Sequence, residues 1–187
     1  HMRCVSAPAR EQRCDELEFY YPLASLTADA LKALLSQHRF GHGSLAHDWV
    51  ERLQFETAAG YLHGFIDLVF ESKGRYFVVD YKSNDLGPRD EDYAPERLLA
   101  TMVQEHYLLQ YLIYTLAVHR YLRLRLPDYD YEQHFGGVYY LFLRGMNPVS
   151  EKPSGIYFDR PSAAMVEAVS YTHLRAHETL RYLVCRR

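Results

Sequence analysis

The sequence predicts an α/β domain in which a central mixed β-sheet is flanked by helices. Three observations carry that reading. Leu62, Gly64, Ile66, Leu68 and Phe70 alternate with other residues, and Arg75 to Lys82 forms a second β-type run. Glu71-Ser-Lys-Gly74 lies between them, and glycine there suits a hairpin turn. A long helical pattern then separates this hairpin from an apolar run, Gly137 to Leu143, giving a β-β-β-α-β order.

The elements follow in chain order. Residues 3–15 read as a polar, irregular arm. Leu17 to Tyr21 alternates and then meets Pro22, which suggests a short strand. Thr27 is a helix cap, and Leu31, Leu34 and Leu35 share one face of a helix to about Gln37. Gly41 to Ser44 reads as a loop, and Arg52 to Phe55 as another short strand. Phe77 to Val79 is apolar on both faces, as in the middle of a covered sheet. Ser83 to Ala94 is an acidic loop. Pro95 suits the first turn of a helix that runs to about Arg123, with arginines at its end and Pro127 beyond. Asp128 to His134 reads as a polar loop. A last helix starts in Pro161 to Val169.

The chain has 187 residues, 48% hydrophobic and 24% charged, which excludes wholesale disorder and suits one domain. No apolar run is long enough to span a bilayer. Three cysteines form no Cys-x-x-Cys pair and no even framework, so a reducing, cytoplasmic setting is expected. Net charge is −3, which argues against gripping nucleic acid by a basic surface alone. His1-Met2 reads as a tag scar, residues 3–168 as the domain, and residues 169–187 as a non-native tail. Val169 to Thr179 resembles a translated adapter sequence; the alternative is a helix through Leu174, His177, Leu180, Leu183 and Val184. That tail holds 4 Arg and 1 Glu, so the remainder has 21 − 4 = 17 basic and 24 − 1 = 23 acidic residues. The domain is thus more acidic than the whole chain.

One constellation carries chemistry. Asp80 and Lys82 are two apart on a strand and point to one face, while Tyr81 points to the other and suits core packing. A turn centred on Lys73-Gly74 sets Asp67 opposite Asp80. Two adjacent carboxylates repel, and one takes up a proton unless a cation lies between them. Hard oxygen ligands suit Mg²⁺ or Mn²⁺. Such a metal activates water against a phosphodiester, and a neighbouring lysine orients that water or stabilises developing charge. The same spacing also suits a surface cross-strand ion pair worth about 0–1 kcal/mol.

Gly64 to Phe70, Val79 to Asn84, Gln110 to Leu122 and His134 to Gly145 together resemble the C-terminal nuclease domain of the RecB family. That family supplies the β subunit of the bacterial helicase–nuclease exodeoxyribonuclease V. The likeness runs from about Leu17 to Pro161. It implies the restriction-endonuclease-like PD-(D/E)XK fold and a Mg²⁺-dependent DNase. It implies that Asp67 and Asp80 are metal ligands, that Lys82 is the catalytic lysine, and that Glu18 is the upstream acidic residue, with Glu16 its rival. Gln110 and Tyr114 match a Gln-x-x-x-Tyr helix and lie one turn apart, toward a nucleic-acid strand or the active site. Ser83 and Asn84 are expected to bond the DNA backbone or cap the strand.

The resemblance further implies single-stranded DNA ends fed by a helicase, RecC- and RecD-like subunits, and a RecA-like recombinase, without a membrane. It also implies a histidine ligand on a helix before the acidic strand, which this sequence does not hold there. His38, His42 and His47 follow that strand and read as loop or surface residues. An incomplete metal site is therefore expected. The alternative function is a docking module that binds complex partners or a recombinase without cutting. No Gly-x-x-x-x-Gly-Lys loop is present, so no motor is expected.

Overall fold

A computed structural model describes residues 13–38, 44–54, 58–147, 154–172 and 183–185. Residues 1–12, His42 and the helical tail expected over 174–180 lie outside the described residues. Six strands form one mixed sheet: β1 (Arg13–Leu26), β2 (Ala58–Ser72), β3 (Arg75–Lys82), β4 (Phe135–Phe142), β5 (Ile156–Asp159) and β6 (Leu183–Cys185). Their order is β5-β4-β3-β2-β1-β6. β3 and β4 are parallel, and the other neighbours are antiparallel. The helices are α1 (Ala28–Gln37), α2 (Ser44–Arg52), α3 (Pro95–Gln104), α4 (Tyr107–Arg125), α5 (Tyr131–His134) and α6 (Ala163–Thr172).

The hairpin has the expected register. Leu68 faces Val79 and Val69 faces Val78, around a turn in which Lys73 and Gly74 both have positive φ. Glu71 Oε1 accepts the Gly74 N–H at 2.6 Å and fixes the turn. β1 is much longer than Leu17 to Tyr21, and Arg13 to Asp15 belong to it rather than to an arm. Pro22 does not end it. Pro22 pairs with Tyr61 on one side, while β6 reaches only Leu17 to Phe19 on the other, and a strand tolerates proline along an open edge.

The expected strand at Arg52 is the end of α2. Trp49, Val50 and Leu53 are buried at helical spacing, which decides for a helix. The long helix is two. It breaks at Glu105 and His106, where His106 takes φ 57 and its Nδ1 accepts from Trp49 Nε1 at 3.4 Å. The loop before β4 holds α5, capped by the Asp130 side chain on Gln133 N. β5 is an element without a sequence counterpart above.

The described parts of the C-terminal segment, α6 and β6, pack onto the domain. Val169, placed above in the tail, is buried in the core, and α6 continues to Thr172. Leu183 and Val184 are strand residues, paired with Phe19 and Glu18, not part of a helix. Cys14 is disulfide-bonded, which departs from the reducing setting read from the three cysteines.

Leucines of α1, α3 and α4, and Met165, Val166 and Val169 of α6, share one core with Ile66, Val78, Val138 and Tyr140 of the sheet. The opposite face of β2 to β5 carries Phe70, Phe77, Tyr139 and Phe158 in successive ring contacts of 5.1, 5.9 and 4.6 Å. None of these four belongs to the core cluster, and Phe158 is exposed. Val79, on this second face, is nonetheless 3% exposed, so the middle of the sheet is covered on both sides as Phe77 to Val79 suggested, while its rim at Phe158 is open. Tyr81 lies on this second face and is 45% exposed, so it is not core packing.

One irregularity positions the site. Ile66 and Val69 are both buried in the same core although three residues apart. On a regular strand they would face opposite ways. The inward parity changes between them, at Asp67. Across the ladder Glu16 stands at the same level and has φ 53. From there on, Phe65, His63 and Tyr61 face solvent with Tyr20.

Candidate active site

The site forms where β2 parts from β3. Ladder pairing between them stops at Leu68 and Val79. Asp67 takes over from the backbone: its Oδ2 accepts the Tyr81 N–H at 2.8 Å. Asp80 faces the helices and is 3% exposed. Its Oδ2 lies 2.5 Å from Lys82 Nζ. The pair is buried, and the Lys82 ammonium is the partner of this oxygen. Burial raises the Asp80 pKa, the Lys82 ammonium lowers it, and the charge on Asp67 raises it further; the net direction is up.

Lys82 is held on several sides. Its Nζ donates to Gln110 Oε1 at 2.9 Å and sits 3.9 Å from the centre of the Tyr107 ring. Tyr140 lies beside it at 5.2 Å, and the Tyr140 hydroxyl donates to the same Gln110 oxygen at 3.1 Å. Gln110 Nε2 donates to Tyr114 Oη at 2.9 Å. Burial, and then the charges of Asp80 and Asp67, raise the Tyr114 pKa well above its ordinary value, so its hydroxyl stays protonated. A chain of polar contacts thus runs from Asp80 through Lys82 and Gln110 to Tyr114.

The structure brings Asp67, Asp80, Lys82, Gln110 and Tyr114 together. It sets Glu18 elsewhere: Glu18 Oε1 accepts from Tyr20 Oη at 3.1 Å and contacts His63 Nε2 at 3.0 Å. Tyr20 and His63 stack at 4.3 Å on that solvent-facing side. Glu16 is exposed. Ser83 is exposed just past β3. Asn84 anchors a loop: its Oδ1 accepts from Tyr107 Oη at 3.2 Å, and its carbonyl from Tyr93 Oη at 3.4 Å. His38 ends α1 and lies in no metal-ligating cluster among the described residues.

Tyr107, Tyr140 and His63 escaped the sequence reading. Tyr107 had a signal, being three residues before Gln110 on one helix face. Tyr140 had none, since its place beside Asp80 depends on the parallel pairing of β3 with β4.

The donor set suits a hard divalent cation. Asp67 and Asp80 supply carboxylate oxygens near enough for the charge of one to act on the other. Among the described residues no cluster of three or more histidines, cysteines or carboxylates could hold a metal. Two carboxylates with water completing the shell is the manner in which Mg²⁺ is commonly held.

Comparison with known proteins points the same way. A family model described as the PD-(D/E)XK nuclease superfamily matches residues 5–185. RecBCD enzyme subunit RecB of Haemophilus influenzae is 50% identical over 139 residues, covering 73% of this chain and 11% of that protein. The Escherichia coli protein of that name is 48% identical over 153 residues, covering 81% of this chain and 12% of the relative. That of Mycobacterium tuberculosis is 39% identical over 178 residues, covering 84% and 16%. The chain therefore spans a small part of each relative. Nucleases of this superfamily generally use divalent metal ions.

Proposed function

Since the chain belongs to the PD-(D/E)XK nuclease superfamily, we propose that it is the Mg²⁺-dependent DNase domain of a RecBCD-type helicase–nuclease acting in double-strand break repair and recombination. The observation that carries this reading is the buried Asp80–Lys82 pair beside Asp67, tied by Gln110 to α4.

In this reading Asp67 and Asp80 hold the cation. A divalent cation held there would supply Lewis-acid polarisation of a phosphodiester and a more acidic water. The chain's own groups do the rest. Asp80 would bind the cation in its ionised form, the form that also pairs with Lys82. Lys82, fixed between Gln110 and two tyrosine rings, presents a positive charge where negative charge develops on the phosphate. Gln110 orients that lysine, and Tyr114 holds Gln110. Glu18, Ser83 and Asn84 remain candidates for substrate contact. Mn²⁺ would serve in place of Mg²⁺.

The names of the relatives support association with RecC- and RecD-like subunits and DNA; they say nothing of a RecA-like recombinase. No described helix is long and apolar enough to cross a membrane. We assign the domain to the bacterial cytoplasm on the strength of its RecB relatives.

The test is degradation of single-stranded DNA in Mg²⁺ by the protein beside Asp80→Ala and Lys82→Ala. The reading expects loss of at least a hundredfold in each variant. Equal degradation by all three proteins overturns the site assignment. Metal binding without any degradation favours the docking module instead.

A further inference from the structure

A cleft of about 370 Å³ lies between β2 and α4, next to the Lys82–Gln110 contact. Leu62 and Gly64 line it from the sheet, and Leu109 and Ile113 from the helix. Gln110 and His106 add polar edges. An edge-on contact between Phe19 and Tyr114, centroids 5.8 Å apart, forms another part of its wall. Gly64 keeps the wall flat: a Cβ there would stand 2.8 Å from the Phe19 ring, so no side chain fits.

We infer that this cleft is a nucleobase subsite, taking one unpaired base of the strand whose phosphate lies at Asp67 and Asp80. The inference rests on the nuclease reading and adds what the enzyme grips besides phosphate. Three features carry it. The walls are apolar and flat, which suits the face of a base; stacking and apolar contact of this kind need no sequence. The lining has no lysine, arginine or carboxylate, so a phosphate is not what it recognises. Donors are present for base carbonyls and ring nitrogens. Gln110 Nε2 has two hydrogens, and one goes to Tyr114. His106 Nδ1 accepts from Trp49, which leaves the ring proton on Nε2 as a donor.

Gln110 also links the cleft to chemistry. It lines the cleft and bonds Lys82, so a base seated there lies one side chain from the catalytic lysine. A base stacked and paired in a duplex cannot enter. The cleft thus selects single strands by access, without a basic surface, in keeping with the acidic composition.

The test is binding, measured apart from cleavage. Fluorescence anisotropy in EDTA would compare a labelled oligothymidylate with an abasic strand of the same length. The wild type is expected to bind the base-bearing strand at least fivefold more tightly, the lower end for one stacked base. Ile113→Trp fills the cleft and should bring the two strands within twofold, leaving abasic affinity unchanged. Leu62→Trp fills it from the sheet and guards against misfolding of the helix variant. Equal binding by the wild type, no measurable binding of either strand, or a preference that survives both variants overturns the inference. None of these results bears on the Asp80→Ala cleavage test, so the two readings fail separately.

Discussion

The Asp67 carboxylate accepts the backbone N–H of Tyr81 at 2.8 Å, at the level where β2 stops pairing with β3. A side chain here completes a ladder that the backbone has left. The bond holds the parting strands at a fixed separation, and it holds one candidate ligand beside the other.

Asp67 therefore has two separable roles. Asp67→Asn keeps an oxygen acceptor for Tyr81 and should fold with stability near that of the parent, while losing at least tenfold in Mn²⁺ affinity by calorimetric titration. Asp67→Ala loses both, and should cost a further ~0.5–1.5 kcal/mol in urea unfolding for the lost hydrogen bond. Equal stability of the two variants would show that the Tyr81 bond contributes nothing.

Gln110 is the joint between β3 and α4. Gln110→Leu preserves volume but leaves the Lys82 ammonium and the Tyr140 hydroxyl without their shared acceptor. DNase turnover should fall about tenfold or more with little change in KM, since orientation and not grip is lost. Tyr114→Phe removes a single bond to Gln110 and should have a smaller effect. A larger loss in Tyr114→Phe than in Gln110→Leu would contradict this order.

His119 gives the fold a pH dependence. It is 1% exposed in α4, and its pKa is pushed down to about 4 by burial, then by Arg123 and Arg120. Its Nδ1 contacts Tyr129 Oη at 3.1 Å, Tyr131 stacks edge-on, and exposed Glu167 of α6 lies 3.4 Å from Nε2. Unfolded histidine protonates near pH 6.5, so the native state stays neutral while the unfolded state gains a proton. Stability is unaffected above pH 6.5, falls as pH drops, and levels off below about 4, a total on the order of 3 kcal/mol. Urea midpoints between pH 8 and 4.5 should show this decline, and His119→Leu should flatten it. An unchanged slope would remove His119 as its source.

The C-terminal segment divides at Val169 and Thr172. A chain ending at 168 loses Val169 and Ser170, both buried, and should unfold at markedly lower urea than one ending at 172. The longer truncation product keeps α6 and, among the described residues, loses β6, which pairs with Leu17 to Phe19; it should instead tend to associate through the bared edge. Sedimentation and urea unfolding of both proteins check this.

The sequence made parts of this legible and hid others for physical reasons. The hairpin register followed from alternation and from Gly74 in the turn, both local signals. That register pointed Asp67 toward Asp80 and Lys82, although the ladder ends one pair short of them, at Leu68 and Val79. The break at His106 was hidden because histidine is no helix breaker, and its partner Trp49 is 57 residues away. α2 was misread because its apolar residues are few and run into Phe55. β5 and β6 are short, and only pairing with distant strands makes them strands. Glu18 was chosen by resemblance, and its bonds to Tyr20 and His63 across the strand pair were beyond any local pattern.

The central claim is that Asp67 and Asp80 form one metal site. The most direct measurement is anomalous diffraction from crystals of this protein soaked in Mn²⁺. A peak is expected between the two carboxylates, about 2.0–2.2 Å from an oxygen of each, and should vanish in Asp80→Ala. No peak there at saturating Mn²⁺, or a peak coordinated by neither aspartate, would contradict the account.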